Sequence, residues 1–151
     1  MKLLNKNMTK SIDEYIRAFR EADRRITPQR RLIFEILVED VDHPAAEEVY
    51  RRALQTMPDL SRSTVYNTLN ALVDFDVLDK VQDISDEGTR YDTETDDHHH
   101  LYCLRCGKLI DVYQDFEALT LSSDDDHGYQ IVRRQVTFYG YCPECLLEGA
   151  E

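Results

Sequence analysis

The sequence lacks any long hydrophobic run, and this absence excludes one class of protein. No apolar stretch approaches the roughly 20 residues that a helix needs to cross a bilayer, so we expect neither a membrane protein nor a membrane partner. The first residues contain no apolar signal core and no small-residue cleavage site, which predicts a cytoplasmic protein. The 151 residues, 42% of them hydrophobic, suit one ordinary domain or two small ones with a real core.

Basic residues are also scarce, since 18 Lys and Arg stand against 30 Asp and Glu, for a net charge of −12. A negative surface repels phosphates, and this balance alone argues against a nucleic-acid partner. The distribution changes that conclusion, because residues 17–31 contain six arginines and only two acidic residues. The acidic protein therefore carries a local basic patch.

The periodicity of apolar residues predicts four helices followed by a hairpin in the first part of the chain. The helices are expected at 11–22, 29–38, 45–55 and 62–75, with Thr27 and Ser61 as N-caps of the second and fourth. Two strand-like runs follow at 77–84 and 89–91, separated by the polar turn 85–88. A helix pair with a short turn and a following hairpin is typical of a DNA-binding winged helix-turn-helix, although a helical bundle with an appended hairpin fits the same pattern.

The composition becomes polar and acidic at residue 93, which predicts a hinge and a second domain. We expect strands at 101–102, 109–113 and 129–139 and a short helix at 115–122. A unit of this size has too few residues to be stabilised by an apolar core alone, so we expect a structural metal ion or a dimer partner to stabilise it. The predicted fold class is α+β, with a winged helix at 1–92 and a small α/β domain at 93–151.

The cysteines are few, but their spacing is informative. They form two CxxC pairs, Cys103 with Cys106 and Cys142 with Cys145. Four thiolates brought together describe a closed structural zinc site. Two local disulfides are the first alternative, disfavoured by a reducing compartment. A redox CxxC is the second, and such a pair normally opens a helix, which neither pair is predicted to do.

A run of histidines, His98, His99 and His100, follows Asp96 and Asp97. In an extended segment His98 and His100 point to one face and His99 points to the other. Imidazoles with nearby carboxylates suit Fe²⁺, Mn²⁺, Co²⁺ or Zn²⁺, and such a site can exchange its ion. A solvated polar loop is the alternative. The candidate partner ligands are His43, Asp92 and Asp111.

Six segments together carry a resemblance to a known family. They are RITPQR at 25–30, HP at 43–44, STVYNTL at 63–69, TRYD at 89–92, HHHLYCLRCGK at 98–108 and YGYCPEC at 139–145. In this order and spacing, the chain resembles the ferric uptake regulator family of metal-dependent bacterial repressors over nearly its whole length. The resemblance implies a homodimer in which the domain at 1–92 binds double-stranded DNA at a near-palindromic operator and the domain at 93–151 dimerises.

The resemblance also implies roles for individual residues. Tyr66 would touch base edges with Asn67 beside it, and Arg25 would reach the minor groove; Arg30, Ser63 and Thr64 complete the implied DNA contacts. The structural zinc ligands would be Cys103, Cys106, Cys142 and Cys145. The regulatory ion, Fe²⁺ or Mn²⁺ with Zn²⁺ possible, would be held by His43, Asp92, His98, His100 and Asp111. The resemblance also leaves open an additional metal site formed by Asp97, His99, Glu117 and His127.

Ligands from both domains would explain how a metal ion controls DNA binding, because the bound ion would select one angle between the domains. Peroxide-responsive members resemble this chain in having aspartate at both carboxylate positions, here Asp92 and Asp111, and they add oxygen to ligand histidines, here His43 and His98. An iron sensor remains open, as does a zinc- or manganese-responsive regulator. Outside this class, a metalloenzyme that uses the His/Asp site and a metal-storage protein are the alternatives.

Overall fold

The computed structural model describes residues 10–40, 43–81, 88–115 and 118–149. The chain divides into two compact units, Met1–Thr95 and Asp96–Glu151. The division falls in the polar, acidic segment that the sequence marks as a hinge.

Four helices build the first unit. They are α1 at Ile12–Glu21, α2 at Pro28–Glu39, α3 at Ala46–Thr56 and α4 at Arg62–Asp74. Each predicted helix is confirmed to within one residue at both ends. Side-chain N-caps mark the start of three of them, since the hydroxyls of Ser11, Thr27 and Ser61 accept backbone N–H bonds that a helix start otherwise leaves unsatisfied. Helix α3 begins after Ala45 without a side-chain cap. Within the described ranges, no helix combines the length and hydrophobicity needed to span a membrane.

An aromatic and aliphatic core joins these helices. Phe19 and Phe34 are fully buried with ring centroids 5.2 Å apart, and Phe75 meets Phe19 edge-on at 5.2 Å. Leu69 and Leu72 of α4 are fully buried in the same cluster. Burying each such side chain contributes about 1.5–3 kcal/mol, so the core fixes α4 while its other face stays exposed.

The wing follows α4. Strand β1 at Asp79–Val81 pairs antiparallel with β2 at Arg90–Asp92, which confirms the predicted hairpin with shorter strands. Its turn, predicted at 85–88, falls mostly outside the described residues. Helices α3 and α4 with this hairpin form a winged helix-turn-helix, and the fold class is α+β as predicted.

A three-stranded sheet dominates the second unit. Strand β3 at His99–Cys103 lies between β4 at Leu109–Val112, antiparallel to it, and β5 at Thr137–Gly140, parallel to it. A short helix, α5 at Pro143–Leu147, follows β5. Two predicted strands are therefore confirmed in position, and the third is much shorter than expected.

Two predictions for this unit are wrong over the described residues. The helix expected at 115–122 is not formed at 118–122, where Leu119 and Leu121 are exposed and have no surface to pack against. Its end is also diverted into a local turn, because the carbonyl of Ser122 accepts the N–H groups of Asp125 and Asp126. The strand expected at 129–139 begins only at 137, since a polar–apolar alternation defines two faces but supplies no partner for the backbone.

The second unit buries little hydrocarbon. Among its described residues the buried hydrophobic side chains are Cys103, Leu109 and Cys145. Leu101, Ile110 and Phe138, which are register partners across the three strands, are instead more than two-fifths exposed. This composition agrees with the expectation that a metal staple or a partner subunit must complete the unit.

Candidate metal centres

The four cysteines form a cluster within the second unit. Their sulfur atoms all lie within 4.8 Å of one another, with 3.8 Å between Cys103 and Cys145 and 3.8 Å between Cys106 and Cys142. Thiolates about 2.3 Å from a tetrahedral zinc ion are separated by about 3.8 Å. The donor set and its spacing therefore fit a structural Zn²⁺, and separate disulfides within each pair are absent, since all four cysteines are free.

Local backbone structure brings the two pairs together. Cys103 ends β3, and Gly107 adopts the left-handed φ of 72° that lets the chain turn back into β4. Cys142 caps α5, its sulfur accepting the N–H of Cys145 at 3.5 Å. The expectation that neither pair opens a helix is wrong for the second pair, because Pro143 at the first helical position favours a helix start.

The ionisation of the thiols is uneven when no cation is present. Backbone N–H groups of Cys106 and Cys142 lower the pKa of Cys103 to about 6. Burial raises the pKa of Cys145 to about 12. One thiolate is thus stabilised by the fold, whereas further negative charge in the cluster needs a cation to compensate it.

A second cluster in the same unit combines His98, His100 and Asp111. The Asp111 Oδ1 atom lies 3.2 Å from His98 Nε2 and 3.5 Å from His100 Nε2. Both imidazole side chains are buried, while the carboxylate is 22% exposed. The sheet explains the arrangement, because His100 is the register partner of Asp111 and His98, two residues earlier, lies on the same side.

The tautomer of His98 follows from its backbone partner. Its Nδ1–H donates to the carbonyl oxygen of Asp96 at 2.7 Å. The neutral ring then carries its lone pair on Nε2, the atom that faces His100 and Asp111. Two nitrogens and one carboxylate oxygen therefore converge from one side, which is a ligand set suited to Fe²⁺, Mn²⁺ or Zn²⁺.

A histidine–aspartate pair lies in the first unit. His43 Nε2 is 3.2 Å from Asp92 Oδ2, and both side chains are buried. His43 has a left-handed φ of 55°, and Arg90 fixes its carbonyl oxygen with an Nε–H donor at 2.7 Å. The N–H of Tyr91 donates to the carbonyl of Pro44, so the segment around His43 is attached to β2 directly beside Asp92.

Comparison with known families assigns the chain. A model of the Ferric uptake regulator family matches residues 21–139. The chain belongs to the ferric uptake regulator family. Members of this family are DNA-binding, dimeric transcription regulators that depend on metals, and the chain is a regulator of this class.

Individual members of the ferric uptake regulator family are similar over most of their length. The Peroxide-responsive repressor PerR of Staphylococcus epidermidis is 31% identical over 139 residues, which is 91% of this chain and 92% of that protein. A solved zinc-bound manganese uptake regulator is 32% identical, covers 88% of this chain and 99% of its own, and superimposes with a TM-score of 0.64. The ferric uptake regulator Fur of Helicobacter pylori, 21% identical with 91% and 95% covered, shares the fold with a TM-score of 0.71.

For a ferric uptake regulator, the predicted DNA contacts all fall on accessible parts of the first unit. Tyr66 is 40% exposed on α4, with Ser63 and Asn67 also exposed. Thr64 is half-buried, and its hydroxyl lies 2.8 Å from the Ser61 hydroxyl that caps the helix. These four positions therefore all lie in the N-terminal half of α4.

The two predicted arginine contacts differ in their surroundings. Arg25 is exposed just before α2, whereas Arg30 is half-buried within it. The Arg30 Nη1 atom donates to the carbonyl oxygen of Arg25, and the guanidinium lies 5.1 Å from the ring centroid of Phe19. Arg30 thus holds the backbone that carries Arg25, a relationship that the sequence pattern does not indicate.

The additional metal site expected in some ferric uptake regulators remains a prediction. Glu117 lies outside the described residues. His99 accepts the N–H of Val136 at its Nδ1 atom, and Asp97 faces Arg133 at 3.3 Å. His127 is exposed in a turn with a left-handed φ of 49°. Asp97 and His99 therefore have protein partners, and His127 faces solvent. The donor atoms of these three residues do not form a cluster like the two described above.

Two features near the predicted sites were missed by sequence reasoning. Arg62 binds Glu47 through two hydrogen bonds of 2.7 and 3.1 Å, lowering the pKa of Glu47, and its guanidinium lies over the Tyr50 ring. Tyr113 donates its hydroxyl to Asp111 Oδ2 at 3.3 Å. The signal for Tyr113 was available, because a residue two positions after Asp111 shares its side of an extended segment.

Proposed function

We propose that the protein is a transcriptional repressor whose DNA binding requires a divalent cation and whose signal is peroxide. Peroxide would act by oxidising a histidine that holds the ion, after which the ion and the DNA are released. The observation that carries this proposal is the pair of aspartates, Asp92 and Asp111, each beside histidine nitrogens in its own unit.

The similarity to a peroxide-responsive repressor supports the same conclusion. The Staphylococcus epidermidis protein of that name is 31% identical across nine-tenths of both chains. The four cysteines, which peroxide could otherwise oxidise, are gathered into a cluster suited to zinc. We therefore infer that the oxidisable group is a histidine rather than a thiol.

We propose that His43 and Asp92 of the first unit and His98, His100 and Asp111 of the second contribute ligands to one regulatory ion. Bound ferrous iron would supply the one-electron chemistry that peroxide needs to attack an imidazole ring. The residues have separate tasks: Asp96 directs the Nε2 lone pair of His98 inward, and Arg90 fixes the backbone of His43. Replacing His98 or His43 would remove a nitrogen ligand and so weaken the proposed link between the units.

This link would control DNA binding through the spacing of two recognition helices in a homodimer. A two-fold dimer reads a near-palindromic operator only when both α4 helices reach successive major grooves. A coupling free energy of about 1–3 kcal/mol per site would change operator affinity several-fold to more than a hundredfold. Such a repressor acts in the cytoplasm, where its DNA partner is.

The test uses an operator selected from a random DNA library with the Mn²⁺-loaded protein. Operator affinity is measured by fluorescence anisotropy for the Fe²⁺ and Mn²⁺ forms, before and after peroxide, with mass spectrometry of the same samples. We expect the Fe²⁺ form alone to lose the operator and to gain one oxygen atom in a peptide containing His43 or His98. Release of DNA from the Fe²⁺ form with both peptides unmodified would contradict the proposal.

Manganese or zinc regulation is the second candidate, favoured by the 32% identity to a zinc-bound manganese uptake regulator. It predicts that Mn²⁺ or Zn²⁺ supports operator binding at lower free concentration than Fe²⁺ and that peroxide changes nothing. A metalloenzyme would instead turn over a small substrate steadily, whereas a sensor oxidises itself once.

A further inference from the structure

Tyr113 contacts the His98–His100–Asp111 cluster through its hydroxyl. The hydroxyl donates to Asp111 Oδ2 at 3.3 Å, while the other carboxylate oxygen, Oδ1, faces the two histidine nitrogens. The two oxygens of one carboxylate therefore have different partners. Tyr113 engages Oδ2, whereas Oδ1 lies 3.2 and 3.5 Å from the two histidine nitrogens.

The Tyr113 ring supports the same cluster from the side. Its centroid lies 5.7 Å from that of His98, with 35° between the ring planes. The tilted ring packs beside the imidazole, which the Asp96 carbonyl also holds at Nδ1. Tyr113 thus contacts one nitrogen donor by its ring and the oxygen donor by its hydroxyl.

We propose that Tyr113 is a positioning residue that makes Asp111 a one-oxygen ligand of the regulatory ion, an inference that rests on the proposed metal function. Holding Oδ2 turns Oδ1 toward the ion and prevents both oxygens from binding it. A carboxylate that binds through one oxygen leaves a coordination position for another ligand. The hydroxyl of Tyr113, rather than its ring, sets this binding mode.

The size of the effect follows from the geometry. Losing a partner of a metal ligand typically weakens metal binding about 10- to 100-fold. The hydrogen bond of 3.3 Å is longer than the usual O–H···O distance, which places the expected effect at the lower end. Removing the Tyr113 hydroxyl is therefore expected to weaken binding about tenfold.

The experiment measures Mn²⁺ affinity of the zinc-containing protein by the electron paramagnetic resonance signal of free Mn²⁺. Tyr113→Phe removes the hydroxyl and keeps the ring, and Tyr129→Phe removes a hydroxyl from a side chain that is 76% exposed in the same unit. We expect the dissociation constant to rise about tenfold for Tyr113→Phe and less than twofold for the control. Equal affinity for wild type and Tyr113→Phe would overturn the inference.

A double-mutant cycle tests whether the hydroxyl acts through Asp111. Asp111→Glu lengthens the carboxylate and moves its oxygens relative to Tyr113, so adding Tyr113→Phe to this variant should change Mn²⁺ affinity less than twofold. A tenfold loss that persists in the Asp111→Glu background would overturn the inference, because Tyr113 would then act through another group. Melting temperatures of all variants show whether any loss comes from unfolding instead.

The same titrations separate this inference from the proposed function. His98→Ala removes a ligand itself and should abolish tight Mn²⁺ binding. If wild type binds Mn²⁺ no better than His98→Ala, the regulatory site itself fails. If wild type binds tightly and only Tyr113→Phe is without effect, the regulatory site stands and the role of Tyr113 is overturned.

Discussion

His98 and His100 direct their Nε2 atoms to within 3.1 Å of each other, with ring centroids 4.7 Å apart. Two neutral imidazoles cannot both present lone pairs at that distance without repulsion, so the pair must share a proton or a cation. The extended backbone favours the approach, because His98 directly precedes β3 and side chains two positions apart in an extended segment lie on one side. One hydrogen bond between the two nitrogens satisfies this contact, and a metal ion bound by both nitrogens would replace the shared proton.

Replacing either ring should remove one of these two nitrogen donors. His100→Ala is expected to weaken Mn²⁺ binding at least tenfold, while the zinc content stays at one ion per chain. His127→Ala is the matched control, because this histidine is exposed and is not among the residues of the described cluster. Metal analysis and Mn²⁺ titration check both variants. A loss of Mn²⁺ binding in His127→Ala would contradict this assignment and support the additional metal site.

Disrupting the cysteine cluster should unfold the second unit before the first. Cys106→Ser is expected to lose zinc and dimerisation, because the second unit buries little hydrocarbon and structural zinc supplies about 10–16 kcal/mol of apparent folding energy. The first unit, with its own aromatic core, should keep its helices. Hydrogen exchange of the two units measures this difference. Full protection of residues 99–112 without zinc would refute it.

Tyr66 should contribute to sequence recognition. Its exposed position on α4 predicts that Tyr66→Ala costs the operator about 1–3 kcal/mol, whereas binding to unrelated DNA changes less than twofold. Anisotropy titrations with selected and scrambled operators measure both quantities, and Tyr129→Ala, an exposed tyrosine of the other unit, serves as the aromatic control. Equal losses on both DNAs would remove Tyr66 from base reading.

The two arginines should differ in salt dependence. Arg25→Ala removes a free charge, and the slope of log affinity against log salt concentration should fall by about 0.9. Arg30→Ala instead releases the carbonyl of Arg25, so its effect on DNA affinity should shrink when Arg25→Ala is already present. Additive losses in the double variant would show that Arg30 contacts DNA by itself.

The sequence predicted the first unit well because its signals are local. Ser11, Thr27 and Ser61 cap helices whose apolar stripes repeat at helical spacing, and these choices agree with the core they form. The CxxC pairs and the His98–His100 spacing likewise predict their clusters, since a turn or an extended segment brings both members of each pair together.

The second unit was predicted less well because its structure depends on partners that a short window does not contain. The alternation at 129–136 gives no information about which strand would pair with it. Tyr129 and Val132 are 76% and 88% exposed, so no packing in the described chain compensates for the cost of ordering that segment. Helix α5 was missed because five residues carry no periodic signal.

Among the described residues of the second unit, the buried hydrophobic side chains are Leu109 and two cysteines of the cluster, Cys103 and Cys145. If that cluster holds zinc, newly made chains mature only where zinc is available, and a cell short of zinc produces fewer working regulators whatever its iron or peroxide level. Zinc would then set the number of folded regulators, and the regulatory ion would set whether each of them binds DNA.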